Sequence, residues 1–229
     1  MREIDCTGKT TREINQEIRR FIKDGETEIV VLRPQARHNL GVALLQPISL
    51  LFEGSVGYYC AGMIDGPSVE IRGNAGWGVA EGMMSGTVIV EHNTGNSAAA
   101  SIRGGTVVVR GSAGARAGIA MKGGTLIIQG HCGYMAGFMM QKGTIIVCGD
   151  AGEALGDSLY EGRIFVGGNI AELGNDAVLE ELTSEDHAFL TATLVQYEVM
   201  RPSSFKKIVA GRRLWRFDKQ EFGTWKEAL

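Results

Sequence analysis

The sequence predicts a mainly β protein, a right-handed parallel β-helix of about seven coils with helical and strand caps at both ends. Three observations lead there. Glycines recur in register at 54, 73, 111, 130, 149 and 168, a column interrupted only by His92, and again at 57, 76, 95, 114, 133 and 152 before decaying to Ala171. Each copy carries one short run of mostly β-branched residues: VEI from Val69, VIV from Val88, VVV from Val107, LII from Leu126, IIV from Ile145 and IFV from Ile164, which favours strand. The spacing is 19 residues throughout, too short for the helix pairs of α-solenoids, which need about 33 or more, and suited to one coil. Parallel coils about 4.8 Å apart predict a column roughly 30 to 35 Å long.

The chain divides into a cap (residues 1–47), the repeat array (48–175) and a tail (176–229). In the cap, Thr10 and Glu13 form a capping box, Ile14, Ile18, Phe21 and Ile22 line one face, and Gly25 ends the helix. Glu28 to Leu32, EIVVL, reads as a strand leading into the first coil, so that helix and strand close the open end of the core.

Within the array, alternation separates two faces of each strand. Columns beginning at Val69 and Ile71 hold only Val, Leu and Ile and form the core. The outward column Leu51, Glu70, Ile89, Val108, Ile127, Ile146, Phe165 contains five consecutive apolar residues, a ridge of a few hundred Å² that monomers rarely leave bare. Its cover is either the head and tail of this chain or another protein chain. A third column, Glu53, Arg72, Glu91, Arg110, Gln129, alternates in sign and predicts favourable stacked pairs. The corner column Ser55, Asn74, Asn93, Ser112, His131, Asp150, Asn169 is polar at every coil and suits a ladder that satisfies turn amides. A further column holds only small residues: Ala61, Ala80, Ala99, Gly118, Gly137, Gly156 and then Asn175.

In the tail, residues 176–200 hold six acids and no Lys or Arg, and a helix starts at an N-cap Thr183 or Ser184, with Leu190, Leu194 and Tyr197 on one stripe. Residues 201–216 reverse the charge, with six bases and no acid, and the close LWRFDKQEFGTW gathers Trp215, Phe217, Phe222 and Trp225. These are anchors for folding back or for a partner.

A net charge of -3 and a pI near 5.9 argue against a nucleic-acid surface. No apolar run approaches the roughly 18 residues of a membrane span and the N-terminal stretch lacks a signal-like apolar segment, so a cytoplasmic location is expected. Cys6, Cys60, Cys132 and Cys148 have no CxxC spacing, which predicts free thiols rather than zinc or disulfides. GDAGEALG, Gly149 to Gly156, looks alone like a phosphate loop, but seven copies in register are architecture. Catalysis on such a fold needs acids and bases on one face; the best candidates are Asp150, Glu153, Asp157 and Glu161, with His131 one coil from Asp150, and they form no groove of carboxylates. His38, His92, His131 and His187 lack metal-ligand spacing. The sequence therefore predicts no catalytic, cofactor-binding or metal residues.

The GxxGxxxG coils resemble the β-helix domain at the C-terminal end of the glutamate synthase large subunit, a family that also occurs as separate subunits. GDAGEALGDSLYEG (Gly149 to Gly162) and FKKIVAGRRLWRFD (from Phe205) look most like the middle subunit of split, N-methylglutamate synthase-type enzymes. The resemblance spans about residues 28–220; the β-helix subunit of formylmethanofuran dehydrogenase shares the coils and is the alternative, together with a self-assembling β-helix protein without enzyme partners. The resemblance implies a scaffold without cofactor of its own, holding a glutamine amidotransferase subunit against an FMN and iron-sulfur synthase subunit, with homo-oligomers also open.

Overall fold

The structure is a computed structural model and describes residues 1–211. Among the described residues eleven strands and two helices follow in the order β1 (Arg2–Asp5), α1 (Thr11–Lys23), β2 (Glu28–Leu32), β3 (Ser49–Glu53), β4 (Asp65–Ile71), β5 (Ser85–Val90), β6 (Thr106–Val109), β7 (Lys122–Ile128), β8 (Lys142–Val147), β9 (Arg163–Val166), β10 (Ala177–Glu180), α2 (Ser184–Gln196) and β11 (Lys206–Ala210). From β1 to β9 every neighbouring pair is parallel, which makes a parallel β-solenoid of about seven turns. β11 then returns antiparallel onto β9, with β10 antiparallel beyond it. The expected ladder register holds: Val88 faces Val107, which faces Leu126, then Ile145 and Ile164. Both inward columns are buried from Leu50 and Phe52 to Ile164 and Val166.

The solenoid is extended at both ends by strands that periodicity could not flag. β1 pairs with β2 below the first glycine-bearing coil, and β10 and β11 close the far end. At the near end α1 begins with the capping box of Thr10 and Glu13, buries Ile14 and Ile18, and is followed by Gly25 at φ +89°.

Each coil turns twice outside its strand. The first corner carries the polar column, and its side chains accept from the main chain one coil on: Asn74 N–H donates to Ser55 Oγ (3.0 Å), Asn93 N–H to Asn74 Oδ1 (3.1 Å), Ser112 N–H to Asn93 Oδ1 (2.8 Å), His131 N–H to Ser112 Oγ (3.1 Å), Asp150 N–H to His131 Nδ1 (2.9 Å) and Asn169 N–H to Asp150 Oδ1 (2.7 Å). The first glycine column lies directly above these acceptors. A Cβ at Gly73 would sit 2.5 Å from Ser55 N, and one at Gly130 2.5 Å from Ser112 Oγ. From Gly73 onward these glycines have no left-handed φ, so the column is kept clear for space rather than for backbone freedom. The second corner alternates left-handed residues: Tyr59, Ala61 and Met63 in one coil, Met135, Gly137 and Met139 four coils on. Its small column explains itself there, since a Cβ at Gly118 would lie 2.5 Å from Ile145 Cδ1, and one at Gly137 2.6 Å from Ile164 Cδ1.

The outward apolar ridge is covered within the chain. α2 lies across it, and Val108, Ile127, Ile146 and Phe165 are buried together with Leu190, Leu194 and Val199. Tyr197 joins the cluster half-buried. Full burial of such side chains is worth roughly 1.5 to 3 kcal/mol each. Polar contacts hold both ends of the helix. Arg110 pairs with Glu91 (3.3 Å) and donates to the carbonyls of Tyr197 and Glu198 (both 3.1 Å), placing a cation at the helix C-terminus, where the macrodipole favours it. At the N-terminus Asp186, 2% exposed, closes a capping box with Thr183 and accepts from Arg163 (2.9 Å) and Lys207 (2.8 Å). Burial by itself would raise this carboxyl, but the hydrogen bonds from Lys207 and Thr183 and the Lys207 charge bring it down to about 2. Lys207 also pairs with Glu180 (2.7 Å), Lys206 Nζ donates to the Gly168 carbonyl, and Arg201 bonds Thr191. The basic run is thus tied inward as far as it is described. Arg212, Arg213 and Arg216, with Trp215, Phe217, Phe222 and Trp225, lie outside the described residues.

Two measurements check these interactions. Asn93→Ala removes one acceptor from the corner ladder and is expected to cost about 1 kcal/mol in urea denaturation, with Asn93→Asp, which keeps the acceptor, close to wild type. Asp186→Asn leaves Arg163 without its anion and Lys207 with only the exposed Glu180, and is expected to cost roughly 3 kcal/mol and to raise the fluorescence of a hydrophobic dye as the ridge opens. Because the folded carboxyl titrates near 2 against an ordinary 3.8, its roughly 2 to 3 kcal/mol is present above pH of about 4 and lost as pH falls towards 2. An acid titration of the Asn variant lacks that step.

Candidate functional site

The acids and bases that offered the best case for chemistry are placed by the coils in separate roles. His131 and Asp150 stand one above the other in the corner ladder. Nδ1 of His131 accepts the Asp150 N–H, so in this arrangement the proton of a neutral ring is on Nε2; the Asp150 carboxylate lies 3.3 Å from the same Nδ1. Both side chains are exposed, and Asp150 in turn accepts from Asn169. Asp157 is buried and belongs to the last corner, where it accepts from Ser158 Oγ (2.7 Å), Asn175 N–H (3.2 Å) and Asn175 Nδ2 (2.8 Å). This is how a polar Asn175 replaces the small residue of that column. Glu153 and Glu161 are exposed at different corners, and Glu161 lines a polar cleft of about 420 Å³ beside Arg163, Glu180 and Lys207. Those three charges are already joined through Asp186 and each other. Among the described residues no three His, Cys, Asp or Glu side chains gather as metal ligands.

The four cysteines are free, and Cys6, Cys60 and Cys132 are buried. Burial pushes the Cys132 and Cys148 thiols up to about 11 and raises Cys60 further. Such thiols hold almost no thiolate at neutral pH.

The surface that does stand out lies on the second corner near α1. His38 stacks on Tyr58 with ring centroids 4.4 Å apart, and Tyr58 on Trp77 at 5.4 Å. His38 Nδ1 accepts the Tyr58 N–H (2.8 Å), which carries the side-chain-to-backbone device of the coils into the cap. Trp77 is 52% exposed and Met63 60%. Beside the stack, Asn39, Val42, Tyr59, Gly62, Met63 and Glu81 line a cavity of about 250 Å³. Its cap-side wall is fixed by α1: Asn15 donates to the Asn39 carbonyl (2.7 Å) and accepts from Gly41 N–H (2.9 Å), and Arg19 donates to the Val42 carbonyl (2.8 Å). Reading the strand columns alone missed this surface. Its signal was the pair Tyr58 and Trp77 at one corner position of successive coils.

A family pattern described as the GXGXG motif matches residues 34–206. The chain belongs to that family. The GXGXG match covers the coils from the loop before β3 to the start of β11, and the family read from the glycine columns is the one found. Similarity to a curated protein is local: 42% identity over 84 residues with Protein GlxC of Rhizobium meliloti (strain 1021), 36% of this chain and 36% of that protein. The aligned stretch therefore spans about a third of that relative. Among the described residues no helix is long and apolar enough to cross a membrane.

At pH 7 the native thiols are expected to react with a disulfide reagent roughly a hundredfold more slowly than a free cysteine, with Cys148, the one not fully buried, labelled first. Fast labelling of Cys132 in the native state would contradict the packing described.

Proposed function

We propose that this GXGXG chain is a non-catalytic structural subunit of a multisubunit glutamate synthase-like oxidoreductase of cytoplasmic nitrogen metabolism, of the N-methylglutamate synthase type. It holds a glutamine amidotransferase subunit against an FMN and iron-sulfur synthase subunit, and both cofactors belong to the latter. One observation carries the reading: the polar side chains that a catalytic β-helix would gather on an open face are used, coil by coil, to hold the next coil in place. His131 and Asp150 are consumed in the ladder, Asp157 in the last corner, and Asp186 with Lys207 in seating α2. Membership of the family and the likeness to Protein GlxC support the enzyme class. Assembly of identical chains through the apolar ridge loses its basis, because α2 already occupies that ridge.

The test is an affinity pull-down of the tagged chain from native cell extract, with mass spectrometry and a visible spectrum of the eluate. The expected eluate is yellow-brown and contains an amidotransferase-like and a flavin and iron-sulfur protein. Molybdenum- or tungsten-type dehydrogenase subunits in their place would favour the formylmethanofuran dehydrogenase alternative, and a colourless eluate of this chain alone would overturn the scaffold reading. The isolated chain, like its His131→Ala and Asp150→Ala variants, is expected to show no glutaminase or synthase turnover.

A further inference from the structure

We propose that the cavity between Tyr59 and Glu81 is the seat on this chain for a partner polypeptide that presents an arginine or lysine head next to an apolar side chain. The proposal rests on the scaffold reading only in supposing that a partner exists; the chemistry of the seat comes from the structure. Among the described residues, two apolar surfaces of the solenoid outside its core are treated in opposite ways. One is buried by α2. The other, formed by Tyr58, Tyr59, Met63 and Trp77, is left open by every described element, and stacked exposed aromatics beside a shaped cavity are the composition of an interface anchor site.

The occupant's charge follows from Glu81. The outward acids Glu53, Glu70 and Glu91 each pair with an arginine of this chain, whereas among the described residues Glu81, half-buried in the cavity wall, has no ion pair or side-chain hydrogen bond. The Tyr59 ring and the Glu81 carboxylate flank the same point of backbone. A Cβ on Gly78 would stand 2.8 Å from two Tyr59 ring carbons and 3.0 Å from Glu81 Oε2. A guanidinium or ammonium entering there meets a carboxylate on one side and an aromatic ring on the other, while its aliphatic stem lies on Val42 and Met63. An anionic group would meet the Glu81 carboxylate. A small free amine would fill the cavity and leave the adjoining Tyr58 and Trp77 stack bare, so a polypeptide fits the whole surface. The wall is preformed, since Asn15 and Arg19 of α1 already hold residues 39–42.

The experiment places the photo-crosslinker benzoylphenylalanine at position 63 of the full chain, irradiates native cells and sequences the cross-linked peptides. The expected product joins this chain to a different protein, at a peptide in which Lys or Arg neighbours an apolar residue. Its yield is expected to fall at least tenfold with Glu81→Lys and at least threefold with Glu81→Gln, in variants whose circular dichroism and melting temperature match wild type. Cross-links only to this chain's own residues, 212–229 included, or no cross-link, or yields unchanged by both Glu81 variants, would overturn the proposal. If the cross-linked protein is neither amidotransferase-like nor a flavin and iron-sulfur protein, the seat stands and the scaffold reading falls. If the pull-down recovers both expected partners while the Glu81 variants change nothing, the scaffold reading stands and the seat falls.

Discussion

Parallel coils stacked about 4.8 Å apart leave no room for a side chain at the point where each chain turns over the one below. That limit governs the whole molecule. At the first corner the space above each turn is taken by the oxygen or nitrogen of the polar residue one coil back, so Gly73, Gly111, Gly130, Gly149 and Gly168 remain bare while Ser55, Asn74, Asn93, Ser112, His131 and Asp150 supply the acceptors. His92 is the one side chain in the glycine column, and the bond beside it, Asn93 N–H to Asn74 Oδ1, is still made. At the second corner Gly118 and Gly137 make way for Ile145 and Ile164, whereas Ala61, Ala80 and Ala99 hold the same position in the preceding coils.

A solenoid built this way has a second problem, which is what to do with apolar columns that face outward. The ridge of Val108, Ile127, Ile146 and Phe165 is closed by α2, held by Arg110 at its C-terminal end and by the Asp186 cluster at its N-terminal end. The aromatic corner near α1 is solved differently: its backbone is pinned by Asn15 and Arg19, but its rings stay in solvent. Among the described residues, one chain thus has a covered apolar ridge and an open aromatic corner.

Much of the fold was legible because period and residue type are local properties. The inward columns, the capping box of Thr10 and Glu13, and the stripe of Leu190 and Leu194 follow from spacing alone, and each is found where spacing puts it. β1, β10 and β11 were not legible, since single strands outside the repeat carry no period and their pairing is decided by which ladder edge is free. The candidate surface was legible only in part. Tyr58 and Trp77 share a corner position, but Glu81, Asn39 and Tyr59 come from three different coils, and nothing in the linear order says that their side chains converge.

The sequence by itself determined the coil: its 19-residue length, its buried columns, its polar corner and the family that these mark, because steric exclusion and burial act on every repeat in the same way. Only the tertiary structure decided that the ridge is covered by this chain's own α2, that the basic run through Lys207 serves an internal carboxylate, and that Glu81 lies beside an aromatic ring with no cation paired to it among the described residues. These outcomes depend on where non-repeating segments land on a repeating surface, and such contacts are set by shape and charge across the fold rather than by neighbours in the chain.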